Sequence, residues 1–152
     1  MKYSIGKSSG VFIGEDSVVK IFNIRGKPIK AARGSYKLCW LREKTCLERL
    51  AGKLHFPQLL EAYEEHLGLR ITACGESLFD TWQEHKLDNY MDQAHAIADA
   101  LEEAQIQYFY PGMDPNSKNK QYIKFPLSNF CIDDGELSLI DFELANPVDS
   151  SA

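Results

Sequence analysis

Lys20 lies in the run Val18-Val19-Lys20-Ile21-Phe22, a cation with apolar residues on both sides. Two readings of it stay open: a charge that protects an exposed strand edge, or a buried ammonium that holds phosphates. Glu43 is a second oddity. It falls on the same helical stripe as Trp40, Leu47, Leu50 and Leu54, three residues after the tryptophan and four before Leu47. A buried carboxylate needs a partner, and Lys20 can supply one. Asn129 stands before one strand-like run, and Asp141 ends the next, in Leu139-Ile140-Asp141-Phe142-Glu143. An amide and a carboxylate set side by side across a hairpin are oxygen ligands suited to Mg²⁺. The last feature is the small-residue turn Gly6-Lys7-Ser8-Ser9-Gly10, where backbone N–H groups can approach phosphates. An ordinary hairpin carries glycines as well.

These residues need elements to position them. Tyr3 to Ile5, Val11 to Ile13 and Val18 to Phe22 read as a strand meander, rich in β-branched and aromatic residues between turns. Residues 23–34 are basic, contain Gly and Pro, and read as a loop. Residues 35–54 are expected to be a helix whose end is bracketed by Gly52 and Pro57. Gln58 to Tyr63 and Gly68 to Thr72 are strand candidates, and a short helix is expected to begin near Ser77. Residues 88–105 should form a second helix, capped by Asp88, with Met91, Ala94, Ala98 and Leu101 on one face. Residues 110–121 are irregular. Phe130 to Ile132 and Leu137 to Ile140 read as strands joined by a turn at Asp133-Asp134-Gly135. Strands, helix, strands, helix and hairpin make an α+β fold.

Composition narrows the function. The chain has 152 residues, 44% hydrophobic and 26% charged, with a net charge of −5. That length supports one domain with its own core. The acidic balance argues against general nucleic-acid binding, which draws its affinity from phosphate neutralisation. No apolar run approaches the ~20 residues of a membrane span, and the first residues lack the apolar centre of a signal peptide. The expected location is cytoplasmic. The cysteines at 39, 46, 74 and 131 include no CxxC pair and read as reduced, mostly buried thiols. The histidines at 55, 66, 85 and 95 form no zinc pattern.

The order of these features resembles the protein kinase-like fold, with its Gly-rich loop, strand lysine, helix glutamate, catalytic-loop asparagine and Asp-Phe-Gly metal motif. Arg42 to Leu50 followed by His55-Phe56-Pro57 is similar to the kinase helix C and its exit. Leu69 to Asp80 is similar to the strand entering the hinge. Gly135 to Ala145 carries the metal motif in an Asp-Phe-Glu variant that also resembles aminoglycoside and choline kinase relatives. The resemblance spans roughly residues 3 to 145. It implies a single minimal domain over residues 1–152, with an N-lobe-like part at 1–73 and a strongly reduced C-lobe-like part at 74–152. It implies ATP and Mg²⁺ as cofactors. Gly6, Ser8 and Gly10 would cradle phosphates, and Lys20, held by Glu43, would contact the α- and β-phosphates. Asn129 and Asp141 would bind the metal. Backbone groups from Thr72 through Ala73 to Cys74 would meet adenine, with Ile71 guarding the back of the pocket.

The departures bear on catalysis. Kinases place an aspartate five residues before the asparagine, where it orients the acceptor hydroxyl. Here that position is Lys124, preceded by Tyr122 and Ile123. Asp114, in Gly112-Met113-Asp114-Pro115, is a replacement only if an inserted loop returns it to the phosphates. Ser8 stands where a central glycine is usual, and Glu143 stands in the glycine position after Asp-Phe. The chain runs only seven residues beyond Ala145. The expectation is an ATP- and Mg²⁺-binding domain with weak or no phosphotransfer, a pseudokinase or regulatory module. The alternatives are an active minimal phosphotransferase using Asp141 and Asp114, and an interaction domain without nucleotide. The surface left by missing C-terminal helices would suit a protein partner or a second copy.

Overall fold

Alternation along three strands creates the face on which everything else packs. The computed structural model describes residues 2–5, 9–22, 35–78, 89–108, 129–142 and 145–148. β1 (Lys2–Ile5), β2 (Ser9–Ile13) and β3 (Ser17–Phe22) form the expected antiparallel meander. β4 (Leu59–Tyr63) and β5 (Gly68–Thr72) extend it to a five-stranded antiparallel sheet in the order β1-β2-β3-β5-β4. β3 is therefore central, which rules out the edge-strand reading of Lys20. In its register Val18 pairs with Ile71 and Lys20 with Leu69. Directly opposed residues share a face, so the lysine points where Leu69 and Ile71 are buried.

α1 (Tyr36–Arg49) covers that face. It starts at Ser35, whose hydroxyl accepts the Leu38 N–H at 3.0 Å, a side-chain cap worth about 1 kcal/mol. Its apolar stripe buries Cys39, Trp40, Cys46, Leu47 and the capping Leu50. The Trp40 indole N–H donates to Gly68 O at 2.9 Å and fixes the helix on β5. The helix stops before residue 54, since the chain turns at Leu50 and Gly52 takes φ +79°. Leu54, expected on the buried stripe, lies beyond that end and is 72% exposed.

The second half of the chain is built around one hairpin. β8 (Phe130–Asp133) and β9 (Glu136–Leu139) are joined by Asp134 and Gly135, at φ +50° and +77°. Two central residues with positive φ define the type I′ turn whose twist matches a hairpin. β6 (Glu76–Ser77) adds to β8, and helix begins at the next residue, Leu78, beside the start expected near Ser77. α2 (Tyr90–Glu103) packs beside it through Gln93, Ala94, Ile97, Ala98 and Leu101. Its N-cap is Asn89, which makes no side-chain capping bond, and Met91 is largely exposed; both differ from the expected cap and face. The run 94, 97, 98, 101 is the better helical stripe. β7 (Ile106–Gln107) pairs with β10 (Asn146–Pro147). The loop at 23–34, the course of the expected short helix beyond Leu78 and the irregular stretch 110–121 lie outside the described residues.

Two side chains, His55 and Arg49, lock the halves together, and Gln93 braces the second half. Gln93 donates to Gly135 O at 2.9 Å and accepts from Leu137 N at 2.8 Å, so one amide clasps the hairpin. His55, at φ +74°, accepts the Leu139 N–H on its carbonyl at 2.8 Å and donates from Nδ1 to Leu137 O at 2.7 Å. Arg49 donates from Nη1 to the carbonyls of Ala104, Gln105 and Val148 at 3.3, 3.1 and 2.8 Å. Among the described residues no helix is long and apolar enough to cross a membrane.

Gly75 joins β5 to β6 at φ +99°, and a Cβ there would sit 2.1 Å from Ile132 O. Gly52 also has positive φ, at +79°, but nothing within 4 Å of a Cβ. Gly75→Ala should therefore cost about 3 kcal/mol or more, combining strain and a backbone clash. Gly52→Ala should cost about 1 kcal/mol. Urea unfolding of the two variants beside the wild type checks the difference.

Candidate functional site

β3 delivers Lys20 to the underside of the sheet, and α1 delivers Glu43 to the same point. The two are 4% and 1% exposed. The Lys20 ammonium donates to both carboxylate oxygens of Glu43, at 2.9 and 2.8 Å. It also reaches Asp141 Oδ1 at 3.1 Å, and it lies 5.5 Å from the Phe22 ring centroid. Burying either charge alone is costly, so each residue requires the other. Glu43 is thus not a solvated helix residue, and its place on the apolar stripe is explained.

Asp141 differs in character, since its side chain is 43% exposed. It leaves β9 at φ +68°, a conformation Asp tolerates better than most residues. Glu143 itself lies outside the described residues. Phe142 turns inward, fully buried, 5.4 Å edge-on from Tyr108 and 6.3 Å from Phe56. The aromatic behind the aspartate therefore anchors it to the core.

Asn129 enters β8 and is 6% exposed. Its Nδ2 donates to the Tyr108 hydroxyl at 2.8 Å, and that hydroxyl donates to Ile140 O at 2.7 Å. The Ile140 N–H returns to Asn129 O at 2.8 Å. Tyr108 thus fastens the start of β8 to the residue before Asp141. With Nδ2 committed, Asn129 has its Oδ1 to offer as a ligand. Among the described residues no group of three or more His, Cys, Asp or Glu side chains is placed to hold a metal.

Other expected positions fare differently. Gly10 is in β2, paired with Ile5 and Ile21, so it is strand and not loop. Gly6 and Ser8 lie outside the described residues, as do Asp114, Tyr122, Ile123 and Lys124. Ile71 is a buried core residue of β5. The strand-exit amides are already engaged: Thr72 N donates to Gln58 O at 2.9 Å and Ala73 N to Asp16 O at 3.2 Å. The carbonyls of Thr72 and Ala73 and the backbone of Cys74 are not engaged by these two bonds. The Cys74 thiol meets that of Cys131, whose hydrogen bond holds it below the ordinary thiol range against the opposing effect of burial. The same contact and burial push Cys131 up. Cys46 is raised to about 12, by burial first and then by the nearby Glu43 charge.

Tyr108, Gln93 and His55 were not singled out by the sequence. Tyr108 acts on residues 21 and 32 positions ahead of it, and no local spacing announces such a contact. The alternation Ile106-Gln107-Tyr108 is the one available hint.

Truncating Glu43 to Ala should destabilise the protein by about 3 kcal/mol, because it takes from the buried Lys20 the carboxylate that accepts two of its hydrogen bonds. The double variant Lys20→Met/Glu43→Leu should lose less than either single truncation. Asp141→Asn should cost under about 1 kcal/mol, as an exposed partner contributes little. Denaturant titration of the four proteins tests the ranking.

No protein-family model matches the sequence, and no curated protein does. Solved structures do. The chain is similar to WbdD in complex with the kinase inhibitor LY294002, with a TM-score of 0.66, 19% identity and 97% of this chain covered. A high-resolution crystal structure of WbdD gives a TM-score of 0.66 and 20% identity over 99% of the chain. The chain spans 33% and 34% of those two chains, about a third of their length. At such identity the likeness is one of fold. The described residues form an α+β arrangement of an antiparallel N-terminal sheet and two helices, and it resembles a fragment of a kinase-like fold.

Proposed function

We propose that this chain is a kinase-like nucleotide-binding domain that takes ATP with Mg²⁺ and transfers phosphate weakly or not at all. In this reading α1 is the kinase helix C, residues 1–73 act as the N-lobe, and 74–152 are a strongly reduced C-lobe. The observation that carries it is the buried ammonium of Lys20, held by Glu43 and touching the exposed carboxylate of Asp141 at 3.1 Å. A cation so held is aimed by its partner and cannot drift, which suits a group that must meet phosphates. Asp141 and Asn129 Oδ1 fit the metal by their chemistry. Mg²⁺ keeps several waters and takes one or two protein oxygens plus phosphate oxygens, not a full protein cage. Bound there, the ion would neutralise phosphate charge. The protein's own part is to hold Lys20 against Glu43, keep Asp141 on a rigid hairpin, and fix the Asn129 amide through Tyr108.

A second reading, an active minimal phosphotransferase, draws on Tyr108. The chain reaches the site there, through its bonds to Asn129 and Ile140, and is back at the site by residue 129. The intervening segment therefore starts and ends beside Asp141, which gives Asp114 a route to the phosphates that Lys124, counted back from Asn129, does not consider. Phosphoryl transfer relies mostly on positioning and charge, so a relocated base is compatible with activity.

Thermal melting with ATP, with and without Mg²⁺, tests the main reading. A ligand that binds only the folded state stabilises it by about 2.7 kcal/mol at about 100 times its Kd, which raises Tm by several degrees in a chain of this size. The expected result is a Mg²⁺-dependent rise that is lost in Asp141→Asn and reduced in Lys20→Arg. No rise at millimolar ATP would overturn the proposal. Transfer of the γ-phosphate to any acceptor, abolished by Asp114→Asn, would select the second reading.

A further inference from the structure

α1 and α2 carry opposite charge. α2 holds Asp92, Asp99, Glu102 and Glu103 and no lysine or arginine. α1 holds Lys37, Arg42, Lys44 and Arg49 against Glu43 and Glu48. Glu43 is buried on Lys20, which leaves Glu48 as the outward acid. The same bias runs ahead of the helix in sequence, since residues 23–34 include Arg25, Lys27, Lys30 and Arg33 and no acid, in a chain whose net charge is −5. Leu41 is the centre of the side of α1 that faces away from the core. Lys37, Leu38 and Lys44 stand four and three positions before it and three after it, the spacings at which helix side chains are neighbours. Leu38 and Leu41 are 40% and 41% exposed. The lysines beside them are loosely paired, Lys37 with Glu64 at 3.9 Å and Lys44 with Glu48 at 3.4 Å, and such surface pairs contribute little. One exposed leucine is ordinary. Two neighbouring ones framed by lysines make an amphipathic face.

We propose that this face of α1, centred on Leu38 and Leu41, docks the domain on an anionic membrane surface. The outward side of a helix is convex, so it offers no groove for an acidic peptide to fill. Nucleic acid would use the cations and leave the leucines without a partner. An anionic bilayer uses both. The leucines enter the boundary between headgroups and acyl chains, while the lysine stems lie along it and carry their ammonium groups to the lipid phosphates. The opposite side of α1 stays on the sheet throughout, so docking needs no unfolding of the helix. Two leucines and a few cations make a reversible contact that salt weakens. The inference goes beyond nucleotide binding and does not depend on it.

The test is sedimentation of the full chain with vesicles of phosphatidylcholine, alone or with about 30% phosphatidylserine. The expected result is partition onto the anionic vesicles only, falling steeply between about 0.05 M and about 0.5 M salt. Lys37→Gln/Lys44→Gln should weaken partition about twenty-fold, at about five-fold per cation. Leu38→Gln/Leu41→Gln should weaken it about ten-fold or more at unchanged net charge, which separates insertion from charge attraction. Retained helical circular dichroism shows that this variant is folded. Leu41→Trp, which keeps an apolar side chain there, should bind at least as well and shift its emission to the blue on anionic vesicles. No partition onto anionic vesicles, equal partition onto neutral ones, a folded Leu variant that binds like the wild type, or a tryptophan whose emission does not move would each overturn the proposal. So would a dimer in light scattering that the Leu variant dissolves, which assigns the face to a second copy.

Discussion

The ion pair between Lys20 and Glu43 is the constraint around which the described structure is arranged. Both charges are almost wholly out of water, where an ammonium or a carboxylate alone would be untenable. Satisfying both at once requires a central strand and a helix held at one separation and one rotation. The Trp40 indole bond to Gly68 and the leucines of α1 supply that rigidity. Buried ion pairs are poor contributors to net stability compared with apolar side chains of the same size. Their retention in the middle of a core is better explained by what they hold in place. Here that is a cation that also reaches a carboxylate open to solvent.

The hairpin that carries Asp141 is held in an equally specific way, though with neutral groups. Gln93 and His55 bind its backbone from opposite partners, α2 and the turn after α1. Tyr108 ties its two ends together. Each of these polar groups is satisfied inside the protein, which is the condition under which a polar network rigidifies its surroundings. The left-handed backbone at Asp141 is thus over-determined on both sides: by the bond to Ile140 before it and by the buried Phe142 after it.

What the sequence disclosed, and what it did not, follows from the range of the interactions. Lys20 and Glu43 were legible because each breaks an apolar pattern of known period, and a broken pattern is a local signal. The hairpin was legible from Asp133-Asp134-Gly135, since turn chemistry is also local. Helix ends were less so: the fall of α1 at Arg49 depends on a glycine in left-handed conformation, and Leu54 continues the spacing past it. The backbone groups from Thr72 to Cys74 were expected to meet adenine, and the sequence did not disclose that the amides of Thr72 and Ala73 bond to carbonyls of Gln58 and Asp16, because a backbone acceptor leaves no trace in residue type. Tyr108 and Gln93 were missed for the same reason. Their roles exist only once distant segments have met.

Arg49 gives α1 a fulcrum. α2 carries no basic residue in its own last turn, and the negative end of its dipole is met instead by the guanidinium of Arg49, which ends α1 and also reaches Val148. The C-terminal tip of α1 is thereby nailed to the second half of the chain, while its other end begins at Ser35. A tilt large enough to break the Trp40 bond to Gly68 would pivot about Arg49. Glu43 is six residues from that pivot, a lever arm of about 9 Å. A displacement of about 3 Å, enough to part the carboxylate from Lys20, corresponds to a tilt of about 20° over such an arm. The short lever makes the ion pair insensitive to small motions of the helix and sensitive to large ones, a threshold set by the position of one arginine.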